Sequence, residues 1–229
     1  MPGRLFVATL GFNETFIIST INTYSASSGD GLVTVTLSPV VGGVEKALGN
    51  LRGLASTLGF TMYDPILIDR NAVVKSITDM VDRLTVILDS GGYTHVVADL
   101  TGGPRIVVVS TLIALLPLSG RARVDVRIQD ETGGLGELRF NIDLLKVALR
   151  GLGEKGKLLE YIVSHPGVRP GSIAEDLGLA PKTVANYLTY LKKLGLVYQK
   201  GRGRGLYPTE WGVLVASLWR REGGGGGGR

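Results

Sequence analysis

Short apolar runs and longer stretches with helical spacing alternate along the first 150 residues. Short runs bounded by glycine, proline or polar residues are typical of buried strands. Apolar residues that recur every three or four positions indicate helices with one buried face. The pattern predicts strands at 5–10, 32–37, 65–68, 95–100, 123–128 and 135–140. It predicts helices at 13–24, 44–58, 71–88 and 141–149.

Strands separated by helices of this length predict βαβ crossovers and a mostly parallel sheet. The last two strands are joined by the turn-forming residues 132–134, so we expect them to pair as an antiparallel hairpin at the sheet edge. The predicted fold class of residues 1–150 is therefore α/β, with a Rossmann-like, doubly wound layout.

Residues 104–116 fit two kinds of secondary structure. The three valines at 107–109 favour a strand by intrinsic propensity. The apolar run is longer than most strands, however, and Pro104 suits the first turn of a helix. We predict a helix here, which makes residues 101–103 a strand-to-helix turn rather than a hairpin.

The pattern changes after residue 156. Helices are predicted at 157–164, 171–177, 181–194 and 209–221, with short strands at 196–200 and 206–207. A short helix, a glycine-containing turn and a longer helix form the helix-turn-helix pattern, and strands that flank a glycine-rich loop add a wing. We predict a Rossmann-like domain at 1–150, a hinge at 151–156, a winged helix-turn-helix domain at 157–222 and a disordered glycine tail at 223–229.

Charge is distributed unevenly along the chain. Residues 1–150 hold 13 Lys+Arg and 14 Asp+Glu, a net charge of −1, whereas residues 151–229 hold 12 and 6, a net charge of +6. Such asymmetry favours a polyanionic partner for the C-terminal segment. A merely solvated basic face would have the same charge, so that alternative stays open at this point.

The composition excludes some classes of chemistry and location. The chain contains no cysteine, so it has neither disulfides nor thiolate chemistry. The apolar segment at 106–116 is far shorter than the ~20 residues needed to span a bilayer. The run at 5–10 is too short for the apolar core of a signal peptide. We expect a cytoplasmic protein without a membrane-spanning segment.

The helix predicted at 181–194 separates apolar from polar positions. Val184, Leu188 and Leu191 fall on one side and are expected in the core. In a helix-turn-helix, the N-terminal part of the second helix reaches base edges in the major groove, where Asn pairs with adenine. The alternative is a plain three-helix bundle with a solvated polar face. The candidate DNA-binding residues on this helix are Lys182, Thr183, Asn186 and Tyr187.

The segment YQKGRGRGLYP at 198–208 resembles the wing of a winged helix. Lys200, Arg202 and Arg204 alternate with glycines between two predicted strands. Glycines let such a ribbon lie close to the DNA backbone, while basic side chains contact phosphates or a narrow minor groove. A flexible basic hairpin or an RNA-binding arginine-glycine repeat are the alternatives.

Three predicted loops follow strands at one edge of the sheet. Ligands of open α/β sheets bind beyond the carboxyl ends of the strands, where glycines and helix N-termini suit anions. The Walker pattern is absent, so a triphosphate site is not expected. Ordinary two-glycine turns remain an alternative to a phosphate site. The candidate ligand residues are Gly11, Asn13 and Glu14 in the first loop, Pro39 in the second, and Thr101, Gly102, Gly103 and Arg105 in the third.

The segments LGFNET at 10–15 and DLTGGPR at 99–105, with the C-terminal winged helix, resemble the CARF-domain transcriptional regulators of archaeal CRISPR-Cas systems. The resemblance implies a homodimer that binds double-stranded DNA, with residues 1–150 as its CARF ligand-binding and dimerisation domain. It also implies a cyclic oligoadenylate ligand, with cyclic tetra-adenylate expected, in a pocket across the two-fold axis. By matching position it assigns the ligand to Gly11, Asn13, Glu14, Thr101, Gly102, Gly103 and Arg105. The chain departs from the family at Pro104, where a small hydroxyl residue is commoner, and this removes one N–H donor.

Some related CARF proteins cleave their cyclic ligand, so a ring nuclease is the alternative function. The two histidines, His95 and His165, are isolated in sequence, and neither a carboxylate pair nor metal-ligand spacing is evident. Glu14 and Asp99 lie near the predicted pocket, and we expect Asp99 to orient the loop. We therefore expect a regulator without catalytic residues, metal or cofactor.

Overall fold

The computed structural model describes residues 3–130, 136–201 and 205–221. The chain forms two compact units, Met1–Ile142 and Asp143–Arg229. The boundary between the units lies eight residues before the domain boundary that we predicted at residue 150. The predicted turn at 132–134 and the predicted tail at 223–229 lie outside the described residues.

In its described residues, the first unit contains a seven-stranded sheet and four helices. Its strands are β1 (Arg4–Thr9), β2 (Gly31–Ser38), β3 (Thr61–Met62), β4 (Ile66–Asp69), β5 (His95–Asp99), β6 (Arg123–Gln129) and β7 (Glu137–Asn141). Its helices are α1 (Thr15–Thr23), α2 (Gly42–Leu58), α3 (Val73–Gly91) and α4 (Arg105–Leu118). The two-residue strand β3 is the element of this unit that the sequence pattern did not predict.

The strand order is β3-β2-β1-β5-β6-β7, and β4 also pairs with β2. All pairs are parallel except β6 with β7, which is antiparallel. The carboxyl ends of β1, β2, β4 and β5 therefore meet at one edge of the sheet. This topology confirms the predicted Rossmann-like α/β class, including the antiparallel edge strand.

The central strand β1 is buried on both faces, as expected when helices cover both sides of a parallel sheet. Residues 5–8 are each at most 2% exposed. On one face, Phe6 belongs to a core cluster with Ile17 of α1 and Leu51 of α2. Alternation along the strand sends Val7 to the opposite face, where α4 contacts β1 and β2.

The ambiguous segment at 104–116 is a helix, as predicted. Pro104 is its N-cap, in an extended conformation with φ −60° and ψ 143°. The valine run is divided by the helical turn, since Val107 is fully buried whereas Val109 is 54% exposed. The valines therefore lie on both the buried and the exposed side of α4. This placement explains why the strand propensity of valine did not decide the structure of the segment.

The second unit contains α5 (Asp143–Arg150), α6 (Glu154–Ser164), α7 (Pro170–Asp176), α8 (Pro181–Lys193), β8 (Val197–Gln199), β9 (Leu206–Pro208) and α9 (Glu210–Arg221). The strands β8 and β9 pair as an antiparallel hairpin. The helices α6, α7 and α8, followed by this hairpin, match the predicted winged helix-turn-helix pattern. Half of the predicted hinge at 151–156 belongs to α6, because this helix begins at Glu154.

The described residues include no helix that is long and apolar enough to cross a membrane.

Two glycines inside helices differ in how closely other atoms surround them. A Cβ atom added at Gly212 of α9 would lie 2.1 Å from the carbonyl oxygen of Leu196, so the helix needs a glycine to approach that backbone. A Cβ atom added at Gly53 of α2 would meet no atom within 4 Å, and this residue is exposed.

We expect Gly212→Ala to lower the free energy of unfolding by about 1–3 kcal/mol, because the backbone of α9 must move away from Leu196. The matched change Gly53→Ala should raise it by about 0.5–1 kcal/mol, because alanine loses less conformational entropy in a helix. Urea unfolding of both full-length variants measures the difference. Equal stability of Gly212→Ala and the unsubstituted protein would contradict the proposed close contact.

Candidate functional site

A cavity of about 560 Å³ lies at the carboxyl ends of the parallel strands in the first unit. Residues from the loops after β1, β2, β4 and β5 form it, which is where ligands bind in open α/β sheets. Its lining residues are Leu10, Gly11, Phe12, Asn13, Phe16, Thr36, Leu37, Pro39, Val41, Val44, Arg70, Gly102, Gly103 and Pro104.

Two glycine-containing loops touch each other at this cavity. A Cβ atom at Gly11 would lie 3.1 Å from Cα of Gly103, and one at Gly103 would lie 3.2 Å from the backbone of Leu10. Gly103 also has φ +87°, in the left-handed region that disfavours other residues. The glycines therefore allow the loops after β1 and β5 to pack together, in addition to leaving the backbone bare toward a ligand.

Phe12 connects the first loop to the start of α2. A Cβ atom at Gly43 would lie 2.7 Å from Cδ1 of Phe12, so the phenyl ring rests where Gly43 has no side chain. The ring is still 76% exposed, and it forms an apolar wall of the cavity together with Phe16 and Val41. This wall suits a flat apolar group such as an aromatic ring.

The structure brings five of the eight predicted ligand residues to the cavity: Gly11, Asn13, Pro39, Gly102 and Gly103. The other three are Glu14, Thr101 and Arg105. The Glu14 carboxylate accepts a 2.6 Å hydrogen bond from Asn50 of α2. Thr101 is 3% exposed and bonded inside the protein, while Arg105 is exposed at the start of α4.

Asn13 has a local structural role. Its side-chain oxygen accepts hydrogen bonds from the backbone N–H of Thr15 at 2.9 Å and from the Thr15 hydroxyl at 2.6 Å. The bond to the backbone satisfies one of the N–H groups left open at the start of α1. Asn13 thus fixes the beginning of α1 beside the cavity.

Backbone donors are available around the cavity. Within the described parts of the chain, the N–H groups of Gly11, Gly102 and Gly103 have no hydrogen-bond partner. The Thr101 N–H, in contrast, donates to the Asp99 carboxylate at 2.9 Å. Free N–H groups at a concave surface favour an anion. Pro104 adds no donor, as the sequence predicted.

Sequence reasoning missed two polar residues of the cavity. Arg70 follows β4, is exposed and makes no hydrogen bond or ion pair with another described residue. Thr36 of β2 is 2% exposed, and its hydroxyl has no partner in the described chain. Arg70 lies in no glycine-rich loop, so the only available signal was its place directly after a predicted strand.

The helix α8 of the second unit presents a polar stripe to solvent. Lys182 and Asn186 are exposed, as predicted, whereas Thr183 is half-buried. Thr189 and Lys193 are also exposed and follow Asn186 at helical spacing, so they continue the stripe. The sequence analysis did not select these two residues, although their spacing from Lys182 was readable.

Tyr187 lies beside this stripe rather than at its centre. The Lys155 ammonium of α6 lies 5.3 Å from the ring centroid of Tyr187 and 5.1 Å from that of Tyr190. Both distances are in the range of a cation–π interaction. Burial, followed by the negative charge of Asp143, raises the pKa of Tyr190. Tyr187 and Tyr190 therefore anchor α8 to α6.

The hairpin after α8 carries aromatic and basic groups. Tyr198 of β8 stacks on Tyr207 of β9, with 5.7 Å between their ring centroids. The Lys200 ammonium lies 4.8 Å from the centroid of Tyr207, which holds this predicted DNA-binding residue against the hairpin. Arg202 and Arg204 lie outside the described residues.

The two histidines have structural partners. The Nε2 atom of His95 lies 2.8 Å from the Asp125 carboxylate, and His165 stacks on Tyr161 with 4.3 Å between the ring centroids. Neither histidine lines the cavity. Across the described ranges, no group of three or more His, Cys, Asp or Glu residues is arranged to hold a metal ion.

Known proteins resemble both parts of the chain. Residues 4–141 match the model of the Csa3 CRISPR-associated Rossmann-like domain, and residues 154–215 match that of the FaeA-like proteins. A protein of Saccharolobus solfataricus, described as "CRISPR locus-related putative DNA-binding protein Csa3", is 32% identical over 219 residues. That alignment covers 94% of this chain and 88% of the relative.

Two solved structures align loosely with this chain. The zinc-inhibited form of teicoplanin deacetylase Orf2 covers 55% of this chain and 67% of its own, at 10% identity and a TM-score of 0.38. The Thermotoga maritima RuvB Holliday junction branch migration motor covers 96% and 87%, at 16% identity and a TM-score of 0.24. Similarity this low carries no argument about fold or function.

The family match covers the whole parallel sheet and the loops that form the cavity, and the Saccharolobus relative aligns over both compact units. The resemblance to CARF-domain CRISPR regulators is thereby confirmed. This chain belongs to the Csa3 family of CRISPR-associated proteins.

Proposed function

We propose that this protein is a cytoplasmic transcriptional regulator that binds duplex DNA through its second unit. The observation that carries the proposal is the exposed stripe of α8, where Lys182, Asn186 and Lys193 have no partner among the described residues. Donors on the second helix of a helix-turn-helix read base edges and phosphates. The net charge of +6 on residues 151–229 and the description of the Saccharolobus relative as DNA-binding support this assignment.

The proposed ligand of the first unit is a cyclic oligoadenylate, with cyclic tetra-adenylate preferred. Such a molecule presents purine rings and phosphates. The apolar wall formed by Phe12 and Phe16 suits the rings, while Arg70 and the free N–H groups of Gly102 and Gly103 suit the phosphates. Arg105, exposed directly after the turn, supplies a second positive charge.

We propose that two copies associate through α4. Ile106, Val109 and Ile113 are 40%, 54% and 46% exposed, and their spacing places them along one stripe of the helix. Exposed apolar stripes of this kind are typical of protein interfaces. Because α4 begins directly after the turn at Gly103, a two-fold axis along this stripe brings two such turns to one shared ligand.

Regulation then requires that the ligand prefer one arrangement of the dimer. A ligand that binds both arrangements equally changes nothing, whereas unequal binding shifts the population of DNA-binding states. The proposal therefore includes a change of DNA affinity on ligand binding. It differs in this respect from a ring nuclease that carries a winged helix as an accessory.

We expect Asn186→Ala to weaken binding to the specific operator by roughly 5–150-fold, the value of about 1–3 kcal/mol for one bidentate base contact. The affinity of this variant for non-specific DNA should fall much less.

We expect Lys182→Ala to lower the salt slope of DNA binding by about 0.9, as for one lost phosphate contact. The control Lys46→Ala removes the same charge from the first unit, where Lys46 is exposed on α2. Gel shifts at several salt concentrations measure both effects, and equal losses for Lys182→Ala and Lys46→Ala would refute the proposed interface.

We expect Arg70→Ala to weaken binding of cyclic tetra-adenylate about tenfold or more, because it removes a charge-assisted hydrogen bond to phosphate. Arg52→Ala is the control, since the Arg52 guanidinium is exposed, lies 4.0 Å from Asp64 and does not line the cavity. Calorimetric titration with cyclic tri-, tetra- and hexa-adenylate measures affinity and ring size. Chromatography of the same samples detects linear products, whose appearance would favour the ring nuclease instead.

We expect Ile113→Asp to convert the dimer into a monomer, because the interface would bury an unpaired carboxylate. Val86→Asp is the matched control on α3, where the valine is 64% exposed and outside the stripe. Sedimentation velocity distinguishes the two species. A monomeric unsubstituted protein, or a dimer that survives Ile113→Asp, would show that α4 is not the interface.

A further inference from the structure

A buried chain of polar groups lies directly behind the turn at residues 101–103. Asp99 is 2% exposed and ends β5. One of its carboxylate oxygens accepts the N–H of Thr101 at 2.9 Å. The other oxygen accepts the hydroxyl of Thr20, a residue of α1 that is also 2% exposed.

The Thr20 hydroxyl joins this carboxylate to a buried positive charge. It donates its single proton to Asp99, so its oxygen is free to accept. The Nη1 atom of Arg127 donates to that oxygen at 2.7 Å. Arg127 is only 5% exposed, and a guanidinium removed from water requires such partners.

Gln129 adds a second connection to the turn. Its backbone N–H donates to the Thr101 hydroxyl at 2.9 Å, and its side-chain amide donates to Asp99 at 3.3 Å. Thr101 is therefore held at two atoms, its N–H and its hydroxyl. Both bonds act on the residue directly before the two glycines of the turn.

The chain of contacts ends at the edge strand β7. The Nε atom of Arg127 donates to the Glu137 carboxylate, which also accepts from Nε of Arg139 at 2.6 Å. Burial alone raises the pKa of Glu137, but the hydrogen bonds from Arg139 and Arg127 outweigh it and hold the pKa below its ordinary value. Glu137 thus stays ionised and keeps Arg127 paired near neutral pH.

The turn needs such support because glycine is intrinsically flexible. Gly102 and Gly103 make no hydrogen bond through their N–H groups to the described residues, and Gly103 adopts φ +87°. Ordering a flexible turn at the moment of binding costs affinity, whereas a turn that is ordered beforehand does not pay this cost. We propose that Thr20, Asp99 and Arg127 are positioning residues that hold the 101–103 turn in its ligand-binding conformation. This inference rests on the proposed function, since it assumes that the turn binds an anionic ligand.

Three substitutions separate positioning from general packing. Thr20→Val preserves the shape of the side chain but removes the hydroxyl between Asp99 and Arg127. Thr20→Ser retains that hydroxyl. Thr34→Val is the matched control, because Thr34 of β2 is fully buried and its hydroxyl has no hydrogen-bond partner among the described residues.

Two measurements are made on each full-length variant. Amide hydrogen exchange, followed by NMR without ligand, reports on the N–H groups of Thr101 and Gln129, with the amides of β1 as the reference for global opening. Calorimetric titration reports the dissociation constant for cyclic tetra-adenylate. We expect Thr20→Val to speed exchange at the two amides and to raise the dissociation constant, each about tenfold, while exchange in β1 is unchanged. Thr20→Ser and Thr34→Val should match the unsubstituted protein within about twofold.

The possible results have distinct meanings. Unchanged exchange and affinity in Thr20→Val overturn the positioning role, as does a uniform increase of exchange throughout the sheet. Faster exchange at Thr101 in Thr20→Val supports the positioning role even when the unsubstituted protein binds no cyclic tetra-adenylate. Failure of the unsubstituted protein to bind cyclic tetra-adenylate would refute the proposed ligand. It would not refute the positioning role of Thr20, Asp99 and Arg127.

Discussion

The candidate site depends on one backbone contact, the approach of the loop after β1 to the turn after β5. Gly11 and Gly103 allow it, because a Cβ atom on either residue would meet the other loop at about 3.1–3.2 Å. With the loops together, Phe12 rests over Gly43 and closes the wall toward α2. A Cβ atom at either glycine would require the neighbouring loop to move by a few tenths of an ångström, and at Gly103 it would also strain the backbone at φ +87°.

Different parts of the cavity wall carry different chemical groups. Apolar side chains such as Phe12 and Phe16 form one part, while free backbone N–H groups and Arg70 form another. Such a division suits a molecule that carries both aromatic rings and negative charge. The carboxylates near the cavity are engaged elsewhere, since Glu14 bonds Asn50 and Asp99 bonds Thr101.

In the second unit, tyrosine rings lie against lysine ammonium groups. Tyr187 and Tyr190 lie against Lys155, and Tyr207 lies beneath Lys200. A lysine held against a ring loses less rotamer freedom when it meets a phosphate than one that is fully solvated. The stripe on α8 remains polar because the tyrosines pack beside it, toward α6. The polar stripe and the packing contacts thus occupy different sides of one helix.

The sequence by itself determined the order of elements, the parallel sheet with its antiparallel edge and the winged-helix pattern, because hydrophobic periodicity reports burial directly. It also predicted that Gly11, Gly102 and Gly103 lie at the carboxyl edge of the sheet, where the cavity is, because they follow predicted strands. Tertiary structure alone decided that Glu14 and Thr101 bond within the protein, that Arg70 and Thr36 line the cavity, and that Thr20 joins Asp99 to Arg127. These residues lie up to 107 positions apart, and no local pattern encodes which distant side chains the sheet brings together.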